Sequence, residues 1–224
     1  MKNWNLYEIV WLSVFSVAAF ILAILKEDTL LGLSTFITGI LCVLLAAKGN
    51  IMTYLFGMYN TFAYAYISYL NGFYGEMGLN LLFFVPMNIL GFIFWKKRLQ
   101  DNVVEMRRLN TRNFSYLMLA CILSIAFLGW ILALIKTQHT PYIDATTNVL
   151  SIAATLLMIW RYREQWTLYI ILNVFTIVMW VIRTLRGSSD GIMMIIMWVA
   201  FLTNAVYGYY LWTKRSSQQK FAVT

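Results

Sequence analysis

Apolar runs about 17 to 25 residues long, the length that crosses a bilayer core as a helix, recur along the whole chain and are separated by short polar breaks. They lie near residues 9–25, 30–47, 51–70, 77–95, 114–136, 143–160, 165–182 and 191–212. Only Lys48, Gly49 and Asn50 separate the second run from the third. A hairpin is expected there, because one continuous helix would be about twice the bilayer thickness. Pro86, inside the fourth run, is expected to kink or locally break it. The pattern predicts an all-α integral membrane protein with eight transmembrane helices and both termini on one side.

Composition agrees with this reading. Of 224 residues, 61% are hydrophobic and 12% charged, whereas soluble domains are about half apolar and a quarter charged. The first run follows Lys2 and lacks a small-residue cleavage pattern before Lys26, Glu27 and Asp28, so it is expected to remain as a helix. Cys42 and Cys121 fall in separate apolar runs without metal-ligand spacing and read as buried or lipid-facing thiols.

The net charge of +8 is a topology signal before it is a sign of a nucleic-acid partner. Lys2, Lys48, Lys96, Lys97, Arg98, Arg107, Arg108, Arg112, Arg161, Arg163, Lys214, Arg215 and Lys220, 13 of the 17 basic residues, fall on one side of the eight-span plan. Lys26, Lys136, Arg183 and Arg186 fall on the other. Positive charge marks the cytoplasmic side, which places both termini there.

Residues 30–98 and 146–215 can be laid over each other at an offset near 116. Gly75 to Met77 then meet Gly191 to Met193, and Asn88 meets Asn204. GFIFWKKR meets GYYLWTKR after one residue of slippage, and Asn60 meets Asn173 after a gap of about three. The plan is an extra N-terminal helix (1–28), a three-helix repeat (29–98), a basic linker and connector helix (99–140), a second three-helix repeat (141–215) and a tail (216–224), all in one membrane domain. Moving from the second span to the sixth crosses an even number of helices, so the repeats are parallel, as in a class of transporters that bind substrate near the bilayer midplane. The linker from Lys96 to Asn113 reads as a solvated connector.

Helical residues advance about 100° each, so in the seventh span Trp166, Tyr169, Asn173, Thr176 and Trp180 share a stripe about 80° wide. Polar groups on a membrane helix face protein or a cavity, because an unpaired polar group is costly in hydrocarbon. Comparable stripes are Thr53, Gly57, Asn60 and Tyr64 in the third span, and Asn80, Asn88, Gly91 and Trp95 in the fourth. The sixth span offers Asn148, Ser151 and Thr155, and the eighth Asn204 and Tyr207. A single Asn in such a helix also serves as interhelical glue worth about 1 kcal/mol. Trp95, Trp166 and Trp212, near predicted helix ends, read as interfacial anchors at least as readily as site residues.

No ionisable residue falls mid-span, which argues against a carboxylate proton relay. There is no phosphate-binding glycine loop. The single histidine, His139, lies in a short external loop without a triad or metal-ligand set around it. No catalytic constellation, metal site or cofactor site is expected, and enzyme chemistry has no visible residues to carry it.

The eight-span plan, the segment YLNGFYGEMGLN (69–80) and the run DATTNVLSIAATLLMIWRYREQW (144–166), continuing through Tyr169 to Asn173, resemble the PnuC family of bacterial vitamin transporters. The likeness runs from about Leu30 to Lys214. Its most specific part is Asp144, Arg161, Arg163, Glu164 and Trp166, followed by an aromatic at 169 and an amide at 173. The family usually has two tryptophans three apart in this helix, and here Tyr169 takes the second place. The resemblance implies a 3+1+3 arrangement like that of full-length SWEET sugar transporters and a homotrimer in the bacterial inner membrane. It also implies uptake of nicotinamide riboside by facilitated diffusion, with a cytoplasmic kinase trapping the substrate. Relatives carry thiamine, riboflavin or deoxynucleosides, and a non-transporting membrane ligand-binding protein would show the same stripes. A flat pyridinium suits aromatic faces, and amides suit its carboxamide and ribose. The candidate substrate site, read from the helical stripes, comprises Asn60, Tyr64, Asn80, Asn88, Asn148, Ser151, Trp166, Tyr169, Asn173, Thr176, Trp180, Asn204 and Tyr207.

Overall fold

Asn5 and Glu8 open the first helix with a reciprocal cap. The Glu8 N–H donates to the Asn5 side chain at 2.9 Å, and the Asn5 N–H to the Glu8 carboxylate at 3.0 Å. The computed structural model describes residues 4–25, 29–70, 74–100, 103–134, 140–185 and 191–221, with the side chains of 75, 76, 100, 183, 191–193 and 219–221 left aside. His139, Lys2, Lys26 to Asp28, Lys136 and Arg186 lie outside the described residues.

The helices are α1 (Leu6–Leu25), α2 (Leu30–Lys48), α3 (Met52–Leu70), α4 (Tyr74–Leu79), α5 (Val85–Lys96), α6 (Thr111–Ala133), α7 (Pro141–Ile159), α8 (Gln165–Leu185) and α9 (Gly191–Phe221). A π-turn, Asn80–Phe84, joins α4 to α5, so the two read as one interrupted span and the eight-helix plan holds. Seven of the eight spans are long and apolar enough to cross a membrane by length and composition. The eighth, α3, has its hydropathy lowered by the tyrosines, Thr53, Asn60, Thr61 and Ser68 along its length. The expected break at Pro86 takes the form of the π-turn before it. Pro86 sits in the first turn of α5, where its missing N–H costs little, and the wider turn closes with Val85 N–H on Asn80 O.

The chain divides into two compact units, Met1–Glu105 and Met106–Thr224, so the connector α6 belongs with the second repeat. In the first unit α2 packs on α3, and Lys48 in the last turn of α2 pairs with the buried Glu8 carboxylate while lying over the Trp4 ring. In the second unit α6, α7 and α8 enclose Cys121, Leu150, Ala154, Leu157, Leu168 and Leu172. The final helix continues through the expected tail to Phe221. Helices long enough to satisfy their own backbone groups explain why the apolar runs fold this way in lipid.

Each unit contains the same tight turn. In the first, Gly49 (φ 69°) ends α2, and the N–H groups of Gly49, Asn50, Thr53 and Tyr54 bond to the carbonyls of Ala46, Leu45, Asn50 and Ile51. In the second, Arg161 (φ 65°) ends α7, and the N–H groups of Arg161, Tyr162, Gln165 and Trp166 bond to Met158, Leu157, Tyr162 and Arg163. The internal repeat is therefore structural, with a register slightly shorter than the offset near 116 in these helices and slightly longer where Gly91 and Trp95 match Gly208 and Trp212. Gly49 takes the left-handed region without a Cβ penalty, and a Gly49→Ala variant is expected to lose about 1 kcal/mol, read as a lower midpoint of thermal unfolding in detergent.

The basic linker keeps its basic side chains exposed, as expected of a solvated connector, but its backbone is ordered against the repeat turns. Strands β1 (Leu99–Gln100) and β2 (Val103–Val104) pair antiparallel, and Val104 donates to Gly49 O at 2.9 Å. In the second unit Arg107 donates to Arg161 O at 2.8 Å and accepts from Arg163 N–H at 2.9 Å. Val104 and Met106 are buried. The two repeat turns expose carbonyls that helix geometry leaves open, and the linker backbone satisfies them.

Candidate functional site

In the first unit the amides are used within the protein. Asn60 on α3 donates to Thr35 O on α2 at 2.6 Å. Asn88 on α5 donates to Phe84 O at 2.9 Å and to the Thr61 hydroxyl of α3 at 3.2 Å. Its Oδ1 lies so close to Gly57 that a Cβ there would meet it at 2.7 Å. These contacts hold helices together, the glue role weighed for a membrane amide. Asn80 is buried at the head of the π-turn, while Tyr64 is exposed.

Trp95 and Trp212 are fully buried and Trp166 is 3% exposed, so the interfacial-anchor reading of these tryptophans is overturned. Each last helix of a repeat presents a glycine, which lets an aromatic ring from the middle helix lie on its backbone. Tyr54 lies on Gly91 with its ring edge-on to Trp95 at 5.0 Å, and Trp166 lies on Gly208 with its ring edge-on to Trp212 at 6.2 Å. A Cβ on Gly208 would come within 2.6 Å of the Trp166 ring. Tyr169 adds a tilted ring 5.9 Å from Trp166.

Along α8 the polar groups differ in kind from those of the first unit. Asn173 is 4% exposed, and among the described residues its amide makes no hydrogen bond to protein. The Trp166 indole N–H is likewise buried without a partner, as are both amide atoms of Gln165. Thr176 is buried and donates to Leu172 O of its own helix at 2.9 Å. Trp180 and Tyr207 are half-buried, and Asn204 is buried on α9. Asn148 is exposed, with its amide on Asp144 O at 2.8 Å, and Ser151 is half-buried beside it on α7. An unpaired buried polar group costs about 1–3 kcal/mol, so Gln165 and Trp166 on one helix stand out.

Gln165, Gly208 and Trp198, whose indole N–H is also buried and unpartnered, were not singled out by the sequence stripes. Gln165 sits beside two charged residues and reads as a solvated helix start. At the same helix end, Glu164 is buried, accepting from Leu109 N–H at 3.0 Å and from Arg163 Nε at 3.1 Å, and Arg163 also donates to the Thr213 hydroxyl at 3.1 Å. This network fixes the start of α8, and with it the rotation that presents Trp166 and Asn173. Among the described residues no group of three or more His, Cys, Asp or Glu is placed to hold a metal ion.

A family model described as Nicotinamide mononucleotide transporter matches residues 29–214. The chain belongs to this family of PnuC transporters. A nicotinamide riboside transporter PnuC from Neisseria mucosa is 36% identical over 219 residues, covering 95% of this chain and 82% of that one. The PnuC of Haemophilus influenzae is 32% identical, covering 96% and 92%. A solved structure described as the vitamin B3 transporter PnuC matches with a TM-score of 0.80 at 35% identity, covering 97% of this chain and 95% of that one. PnuC membership makes the chain a multi-pass membrane transporter, not an enzyme. The family match begins at residue 29, so α1 lies outside it.

Proposed function

We propose that the chain takes up nicotinamide riboside by facilitated diffusion. The observation that carries this reading is the α8 face, where an unpartnered buried amide at Asn173 lies on the same stripe as the Trp166 and Tyr169 rings. Stacking on aromatic faces holds a pyridinium cation without a buried carboxylate. Asn173 offers both a donor and an acceptor, which matches a carboxamide or a ribose hydroxyl. The names of the Neisseria and Haemophilus relatives support the substrate class.

Trp166, Tyr169 and Trp180 would hold the ring, with Asn173, Thr176, Asn204 and Tyr207 bonding the polar groups. Asn148 and Ser151 would serve a lesser role from α7. Asn60, Asn88, Asn80 and Tyr64 would contribute from the first repeat, with Asn60 and Asn88 mainly organising their helices. The parallel 3+1+3 plan supports alternating access between outward- and inward-open states, and the lack of mid-span ionisable residues supports uptake without proton coupling. Phosphorylation by a cytoplasmic kinase would trap the substrate. The protein would sit in the bacterial cytoplasmic membrane as a homotrimer, with both termini inside.

Calorimetric titration of the purified protein with nicotinamide riboside, thiamine, riboflavin and deoxynucleosides tests the substrate. Saturable binding of the riboside alone is expected, and binding of thiamine without the riboside would overturn the assignment. In proteoliposomes lacking a kinase, uptake is expected to stop at equal concentrations, and accumulation against a gradient would refute facilitation.

A further inference from the structure

The start of α6 and the end of α7, on one side of the second unit, frame an open cleft of about 480 Å³. Its walls include Leu117, Leu157, Trp160 and Tyr162, and its polar groups are Arg107 and Asn113. The Arg107 guanidinium lies over the Tyr162 ring at 4.8 Å, held in place by the backbone pairing of Arg107 with Arg161 and Arg163. Arg108 and Arg112 flank it in sequence and are exposed. Among the described residues no carboxylate pairs with any of the three arginines. Glu164, which accepts from the N–H of the cleft residue Leu109, is already engaged by Arg163.

The cleft also opens at the N-terminus of α6, where Asn110 caps the helix by accepting from Asn113 N–H at 2.7 Å. A helix start carries partial positive charge. The cleft therefore joins an apolar, aromatic wall to a cationic mouth at the end of two membrane-crossing helices. Trp160 is 47% exposed, an amphipathic ring at that helix end. A soluble anion would leave the leucine wall wet, and an apolar chain alone would leave the arginines unpaired. A molecule with a phosphate at the interface and acyl chains along α6 and α7 satisfies both.

We infer that this cleft is a binding site for an anionic phospholipid, its phosphate held by Arg107 with support from Arg108 and Arg112, and its acyl chains lying against Leu117, Leu157 and Trp160. Guanidinium binds phosphate through two parallel hydrogen bonds. The site is separate from the α8 face, so it stands or falls independently of the transported substrate.

Native mass spectrometry of the full chain in detergent, with phosphatidylglycerol and phosphatidylethanolamine supplied at equal concentration, reads the preference directly. At least a threefold excess of phosphatidylglycerol adducts is expected, falling to parity in Arg107→Gln and only partly retained in Arg107→Lys, which keeps the charge but not the paired hydrogen bonds. Thermal midpoints of both variants confirm folding. Trp160→Ala, which removes the apolar wall and leaves the charges, is expected to lower adducts of both lipids. Equal binding of the two lipids by the unaltered chain, or an unchanged preference in Arg107→Gln, would overturn the assignment. So would full displacement of phosphatidylglycerol by millimolar glycerol phosphate, which would mark a soluble-anion site instead.

Discussion

An Asn173→Leu variant is expected to bind the transported substrate about 100-fold more weakly while its thermal midpoint stays level or rises. The amide is 4% exposed and bonds to no described protein group, so exchanging it for a side chain of similar size removes no internal hydrogen bond and relieves a desolvation cost. The bound substrate would lose a partner inside a buried site, and about 1–3 kcal/mol corresponds to roughly 5- to 150-fold in affinity. Calorimetry and thermal unfolding on the same preparation separate the two effects. Unchanged affinity together with lost stability would return Asn173 to helix packing.

Gly208→Ala carries the second large effect. A Cβ would approach the Trp166 ring at 2.6 to 2.7 Å, and that ring cannot retreat easily because it is buried beside Trp212 and Tyr169. Overpacking of this kind costs about 1–3 kcal/mol, and the displaced indole would also carry the stacking surface away from its place. Both the thermal midpoint and the affinity are expected to fall, the latter at least tenfold. Gly91→Ala is the internal comparison, since its Cβ would reach the Tyr54 ring at 2.2 Å in the matching position of the first repeat. That change is expected to cost at least as much stability with a smaller loss of affinity. Equal affinity losses in the two variants would assign both aromatic rings to the substrate.

The contrast between Asn60 and Asn173 shows how repeats diverge. Both lie in the middle helix of their repeat and were paired by the sequence register. One has become part of the α2–α3 packing through Thr35 O, and the other is left without a protein partner. The same divergence appears at the turns, where Gly49 and Arg161 share a left-handed backbone although only glycine takes it freely.

Helix number, the membrane environment and the repeat were all legible along the chain. Each rests on local, periodic signals: apolar runs of bilayer length, charges between them, and residues recurring at a fixed spacing. The stripe on α8 was legible for the same reason, because 100° per residue places Trp166 and Asn173 together without any neighbour. Which amides are satisfied, which tryptophans are core and where the linker goes depended on partners far away in sequence. Thr35 O reaches Asn60, Gly208 admits Trp166, and the Gly49 and Arg161 carbonyls capture the linker. A hydrogen bond or a ring contact belongs to two helices at once, and only their packing decides whether a polar group in the apolar interior is paired or left available to a ligand.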